Sequence, residues 1–369
     1  MKIHKLLIML LILLFTFLST SCNNETIQSS ENQTSAPSSI PIQSTVSIRP
    51  KISGKDDLWA DKKLTVGFIG PGAVDAWNTQ LIKYTRDISC KEWNVELEFR
   101  DGQSKSDLQI EHMEELIEMD VDAIGLISTD EIGWGDAFTK AKEAGIPIIL
   151  IDRNIYSADE SLWTSHIAND WEKEGEMVGE WITENIIKKG ETEEIKLIEL
   201  TGYSDYITHY SYQLQSDKIA KGFRKVIENT NIEIIDSLNG DFTRAGGYEK
   251  TKDYIKSNGL GEIDVIFCYD DDMAFGAIEA IEEAGLVPGE DIIIISIMGT
   301  NAALEAIVDG KIACSVGADP FMGDLFMEAC VRLANGEEIE REIHPVDRVF
   351  DITNAQAELD ARKENGYGY

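Results

Sequence analysis

From Leu64 onward, short apolar runs alternate with amphipathic stretches, and this alternation leaves few folds open to the chain. Leu64 to Ile69 is a short apolar run that ends in Gly70-Pro71-Gly72, and a helical stretch follows it. Next come Val95 to Phe99, a helix near Asp107 to Met119, Ala123 to Ile127, a helix near Ala137 to Ala144, and Ile148 to Ile151. The pattern then restarts. A helix over Glu172 to Ile187 leads to strands at Lys196 to Leu200, Ile232 to Ile235, Val265 to Cys268, Ile292 to Ile297 and Ala313 to Val316. Apolar runs of this length between helices are the signature of βαβ units, whose strands are buried on both faces of a parallel sheet. Two successive sets predict an α/β chain of two doubly wound parallel-sheet lobes. Ligands of open α/β sheets sit beyond the carboxyl ends of the strands. Two such lobes can face those ends across one cleft.

The segment before the lobes reads as an address and a tether. Lys2 and Lys5 precede an apolar run, Leu6 to Leu18, broken only by Thr16, and Ser19-Thr20-Ser21 follow it. Charged, apolar, small is the order of a secretory signal, and the run is too short for a comfortable membrane span. A cysteine directly after the small residues predicts cleavage of residues 1–21 and lipidation of Cys22. Ser19 stands where a lipoprotein signal usually carries Leu, Val or Ile, so an ordinary secretory signal is the alternative. Either predicts export. Residues 22–61 form the expected tether, rich in Ser, Thr, Asn, Gln and Pro up to about Pro50 and without periodicity.

The charge narrows the partners. The net charge is −34, and loss of Lys2 and Lys5 with the signal takes it to −36. Such a surface repels phosphate backbones and anionic lipid heads, which sets nucleic acid aside and favours a neutral or cationic small ligand. Beyond Cys22, the cysteines Cys90, Cys268, Cys314 and Cys330 lack metal-site or CxxC spacing and read as small buried hydrophobes. At 43% hydrophobic residues, a chain of this length can bury its cores without disulfides.

The strand ends carry the candidate chemistry. Asp75-Ala76-Trp77-Asn78, Asp101-Gly102-Gln103, Ser128-Thr129-Asp130-Glu131, Asp152-Arg153-Asn154 and Asp270-Asp271-Asp272 each follow a strand. Asp152 and Arg153 place an acceptor beside a fixed cation, a pairing suited to hydroxyls, although a local ion pair would use the same residues. Trp77 can stack on a ligand or pack in the core. Asp107 and Asp271 read as helix N-caps. Tyr203, Tyr206, Tyr210 and Tyr212 read as a packed surface loop, and His166 and His209 as structural. No HExxH, GxSxG or GxxxxGK[ST] motif occurs, and no catalytic, metal or cofactor constellation is predicted.

The ordered motifs resemble the type I periplasmic sugar-binding proteins of ABC importers, and among them the galactofuranose-binding members. Leu64-Thr65-Val66-Gly67-Phe68, Ala76-Trp77-Asn78, Asp101-Gly102-Gln103, Gln109, Val121-Asp122-Ala123-Ile124 and Gly133-Trp134 carry the likeness first. Ala144-Gly145-Ile146-Pro147 then leads into Leu150-Ile151-Asp152-Arg153. Gly240-Asp241-Phe242-Thr243-Arg244, Asp271-Asp272-Met273 with Gly276-Ala277, and Ala284-Gly285-Leu286 with Pro288-Gly289 continue it toward the C-terminal Gly-Tyr. The resemblance implies three crossings, near Ala168-Asn169, near Ala318-Asp319 and near Pro345 to Arg348. One lobe would comprise 62–168 plus 319–346, the other 169–318 plus 347–369. It also implies that Asp152 and Arg153 bind the sugar and that Trp77 stacks on its ring. Three positions depart from the pattern: Asp270 replaces an asparagine, Met298 an aspartate and Asn78 an arginine.

The expectation is therefore a monomeric, lipid-anchored solute-binding protein of an ABC importer. It would hold a sugar, galactofuranose-like if the resemblance extends so far, and deliver it to a permease with no bond broken. Its ligand contacts would be Trp77, Asn78, Asp152, Arg153, Asp270 and Met298. An extracytoplasmic sensor for a membrane receptor or kinase is the alternative, and an exported glycosidase a more distant one.

Overall fold

A computed structural model describes residues 63–72, 76–156, 158–187, 194–203, 210–259, 263–318, 320–366 and 368. The expected signal, Cys22 and the tether lie outside the described residues, as do Asp75, Tyr206, His209, Asp319 and the side chain of Tyr210.

The first sheet contains β1 (Thr65–Gly70), β2 (Glu96–Asp101), β3 (Ala123–Leu126), β4 (Ile148–Ile151), β5 (Ser165–Ile167) and β11 (Glu342–Ile343), in the order β11-β5-β4-β3-β1-β2. Every pairing in it is parallel. Successive side chains of a strand point to opposite faces, and the core follows that rule. Phe68, Ile149 and Ile151 pack on one face with α1 (Ala76–Tyr84) and α10 (Gly323–Ala334). Ile69, Ile148 and Leu150 pack on the other with α3 (Ser106–Glu118) and α4 (Gly135–Ala144). All these strand residues are almost fully buried, each stabilising the lobe by about 1.5–3 kcal/mol.

The second sheet runs β12-β10-β9-β8-β6-β7. Its members are β6 (Ile195–Thr201), β7 (Ile232–Asn239), β8 (Val265–Cys268), β9 (Ile293–Ile297), β10 (Cys314–Gly317) and β12 (Arg348–Asp351). Only the edge strand β12 is antiparallel, pairing with β10. Thus the molecule has two α/β lobes of six strands each. The chain leaves the first sheet after β5 and enters α5 (Trp171–Asn185). It returns between β10 and α10, and crosses again between β11 and β12. Cys90, Cys268, Cys314 and Cys330 are all buried free thiols.

Three strands were not anticipated. β11 and β12 are short edge strands, and β5 is a three-residue strand between β4 and β11. The predicted caps also need correction. Asp107 lies inside the first turn of α3, where Lys105 is the N-cap. In α8 (Asp271–Glu283) the cap is Asp270, whose carboxylate accepts the Met273 N–H at 2.8 Å. Asp271 instead accepts from Ser296 Oγ (2.5 Å), Ser315 Oγ (3.0 Å) and the Thr300 N–H (2.8 Å), which ties α8 to β9, β10 and α9 (Asn301–Val308).

Helix α5 meets α6 (Tyr210–Ile227) through glycines. A Cβ on Gly222 would stand 1.8 Å from the Glu172 carbonyl oxygen, and one on Gly175 would stand 2.2 Å from that of Ile219. Both obstacles are backbone atoms, so no side-chain rotation can relieve them. Gly222→Ala should force the helices apart and destabilise the protein by about 1–3 kcal/mol or more, read as a lower denaturation midpoint at unchanged m-value.

Candidate functional site

The carboxyl ends of both sheets open onto a cavity of about 1030 Å³, at the upper end of the roughly 300–1,000 Å³ typical of small-molecule sites. Trp77, Asn78, Asp152, Arg153, Asp270 and Met298 all line it. Six positions spread over more than 220 residues therefore meet in one cleft.

Their local settings differ. Asp152 follows β4 with φ +66°, and the Arg153 N–H donates to the Ile151 carbonyl at 3.0 Å. A bond from residue 153 back to residue 151, around a residue of positive φ, is the rarer and strained hand of the γ-turn. The Arg153 guanidinium reaches back to the Thr129 carbonyl at 3.0 Å, beneath the end of β3. Trp77 belongs to the first lobe's core, and its indole N–H donates to the Ala318 carbonyl at 3.1 Å. That bond pins α1 to the segment following β10 while the ring still borders the cleft. Asn78 beside it is also buried.

The second lobe supplies Asp270 and Met298. Burial pushes the Asp270 carboxyl up to about 7, with the neighbouring Asp272 and Asp271 charges adding to the effect and the Met273 N–H opposing it. Near neutral pH Asp270 is thus both acceptor and donor. Met298, at the end of β9, has φ +118° and packs its side chain on the core cluster of the opposite lobe. Its loop is braced by α11 (Ala355–Asn365). There, Glu358 accepts from Arg348 at 2.7 and 2.9 Å and from Arg362 at 2.9 Å, and Arg362 donates to the Gly299 carbonyl at 2.8 Å.

Several cleft residues had no sequence signal. His166, expected to be structural, is buried in the cleft wall and bonded to the Asp152 carbonyl. Tyr212 stands in helix α6, not in a surface loop, and its ring lies 5.6 Å from that of Phe242, both bordering the cleft. Asn169 and Glu174 flank the first crossing and are buried. Desolvation raises the Glu174 carboxyl well above the usual range, with the Asp347 and Asp170 charges reinforcing it. Among the described residues, no group of three or more His, Cys, Asp or Glu is placed to hold a metal ion.

Comparison with known proteins places this geometry. The periplasmic binding protein domain family matches residues 66–338. The galactofuranose-binding protein of Escherichia coli K12 is 32% identical over 307 residues, covering 82% of this chain and 93% of that relative. A Mycobacterium smegmatis structure in complex with β-D-fucofuranose is 31% identical with a TM-score of 0.66, covering 82% of this chain and 96% of that one. The periplasmic component of the arabinose ABC transporter from Shewanella sp. ANA-3, bound to L-arabinofuranose, is 32% identical with a TM-score of 0.67 at the same coverage.

The state of Asp270 yields a stability test. An unfolded aspartate titrates near 3.9, so between about pH 4 and 7 the folded protein holds a proton that the unfolded chain has released. The contribution of Asp270 to stability falls as pH rises through that window. An asparagine side chain at this position would still cap α8 and cannot ionise. Asp270→Asn should flatten the fall and give a higher Tm than wild type at pH 8, with little difference at pH 4, by calorimetry without ligand.

Proposed function

Because the chain belongs to the periplasmic binding protein domain family, we propose that it is the extracytoplasmic solute-binding component of an ABC importer, that its ligand is a sugar in the furanose form, and that Cys22 anchors it to the membrane by a lipid. The observation that carries the reading is the convergence of Asp152 and Arg153 from one lobe with Asp270 from the other on a single cleft. The furanose preference rests on the ligands named for the relatives of 31–32% identity.

The chemistry is recognition without reaction. Asp152 accepts from sugar hydroxyls, Arg153 donates to them, and Asp270 does either according to its proton. Charge-assisted bonds of this kind are strong where the lobes exclude water. Trp77 offers an apolar edge to the ring, and Asn78 an amide beside it. Met298 brings no strong hydrogen-bond group, so the ligand presents a less hydroxylated side there. A ligand touching both lobes favours the closed arrangement by its differential affinity for it, and a permease that reads both lobes together would sense that closure. Delivery requires one such molecule per docking event, which a monomer satisfies.

The test is a thermal-shift panel of L-arabinose, D-galactose, D-fucose, D-ribose, D-fructose and myo-inositol, followed by calorimetry on the sugar that raises Tm. Asp152→Ala should weaken that sugar by about 10- to 100-fold in a protein that still folds. Equal affinity in the variant, or no shift with any member, would remove the reading.

A further inference from the structure

The γ-turn at Asp152 is a strained conformation for a non-glycine residue, and a turn of this kind persists only where its surroundings over-determine it. The surroundings here are specific. The Asp152 N–H donates to the Ile167 carbonyl at 2.8 Å, and the Asp152 carbonyl faces His166 Nε2 at 3.0 Å. The other ring nitrogen, His166 Nδ1, faces Glu342 Oε2 at 2.9 Å. His166 is 7% exposed and stands opposite Glu342 in the β5–β11 register. Thus the carboxylate comes from the same chain segment that goes on to cross between the lobes.

The hydrogen-bond chemistry of this chain is asymmetric. A carbonyl oxygen can only accept, so Nε2 carries a hydrogen. A carboxylate also only accepts, so Nδ1 carries a second one unless Glu342 supplies it. In either arrangement one proton lies in the bond between Nδ1 and the Glu342 carboxylate, in addition to the one on Nε2. Burial pushes the Glu342 carboxyl up, but the hydrogen bond and charge of His166 outweigh it and hold the group below the usual carboxylate range, with His344 and Arg341 acting in the same direction.

We propose that His166, oriented by Glu342, is a positioning residue that locks the Asp152 γ-turn and so aims the Asp152 carboxylate and the Arg153 guanidinium into the cleft. The ring acts through the Asp152 backbone, not through the ligand. This assignment rests on the reading of the cleft as a sugar site, but the turn itself can be observed with or without sugar. The strain of the turn is about the size of what one good hydrogen bond returns, so the clamp decides whether it persists. Loss of the clamp frees the turn to relax to negative φ, which swings both functional groups away from the cleft.

The experiment compares His166→Ala, His166→Gln, Glu342→Ala and Glu342→Gln in the whole protein, with two readouts. One is the affinity for the panel sugar that wild type binds, by calorimetry; the other is the Asp152 backbone in crystals grown without sugar. His166→Ala should lose about tenfold or more in affinity and show Asp152 outside the left-handed region. His166→Gln, whose amide can donate to the Asp152 carbonyl, should recover to within about threefold of wild type. Glu342→Gln should likewise bind like wild type, since its amide still partners Nδ1, whereas Glu342→Ala should weaken binding. Wild-type affinity in His166→Ala, or a persisting positive φ at Asp152 in that variant, would overturn the assignment while leaving the sugar reading intact. Should His166→Ala not fold, equal affinities of Glu342→Ala and Glu342→Gln would overturn it instead. If wild type binds no panel sugar, the sugar reading fails, and the crystallographic readout alone decides whether His166 holds the turn.

Discussion

A parallel sheet buried on both faces has nowhere to put chemistry except at the ends of its strands. Both lobes obey that constraint. The isoleucines of β4 alternate between two apolar layers, and the chain turns polar as soon as the strand stops, at Asp152. The same happens after β8, where Cys268 and Tyr269 are buried and Asp270 meets the cleft. Burial of the strands therefore does two things at once. It supplies the cohesion of each lobe, and it brings the polar strand ends of the two lobes to one cavity.

The electrostatics of the cleft follow from how each carboxyl is partnered. Asp271 is buried and accepts three hydrogen bonds, so it serves as an anchor between elements. Asp270, one residue earlier, accepts one backbone bond and is pushed up by burial. Glu358 shows the opposite balance: burial would raise it, but Arg348 and Arg362 outweigh burial and hold it below the usual range. That ion-pair network steadies the Gly299 carbonyl and with it the Met298 loop. Adjacent aspartates thus take different roles because their neighbours differ, not because of any property of the residue.

Much of the α/β pattern was legible in the sequence, for a physical reason. Runs such as Val265 to Cys268 are buried on both faces and carry no competing signal, so β8 begins and ends where the apolar run does. The shortest strands, β5 and β11, were not legible. Ser165–Ile167 and Glu342–Ile343 are polar and only two or three residues long, and they exist because each pairs with a segment more than 170 residues away. The cleft divides in the same way. Trp77, Asp152, Arg153 and Asp270 could be picked out because they lie in the polar clusters that follow strands, whereas Asn78 and Met298 were marked as contacts only by the family resemblance. His166 and Glu342 could not be picked out, since their partnership is made by the β5–β11 register, and the cap expected at Asp271 falls on Asp270 because one residue of phase at a helix start decides which carboxylate faces the backbone.

A sugar held from both sides should draw the two lobes together. Small-angle X-ray scattering on the protein with and without a saturating panel sugar measures this directly. A smaller radius of gyration is expected in the bound state, and no such change for Asp152→Ala at the same sugar concentration. An unchanged radius of gyration in wild type, with binding shown calorimetrically in the same sample, would contradict that closure.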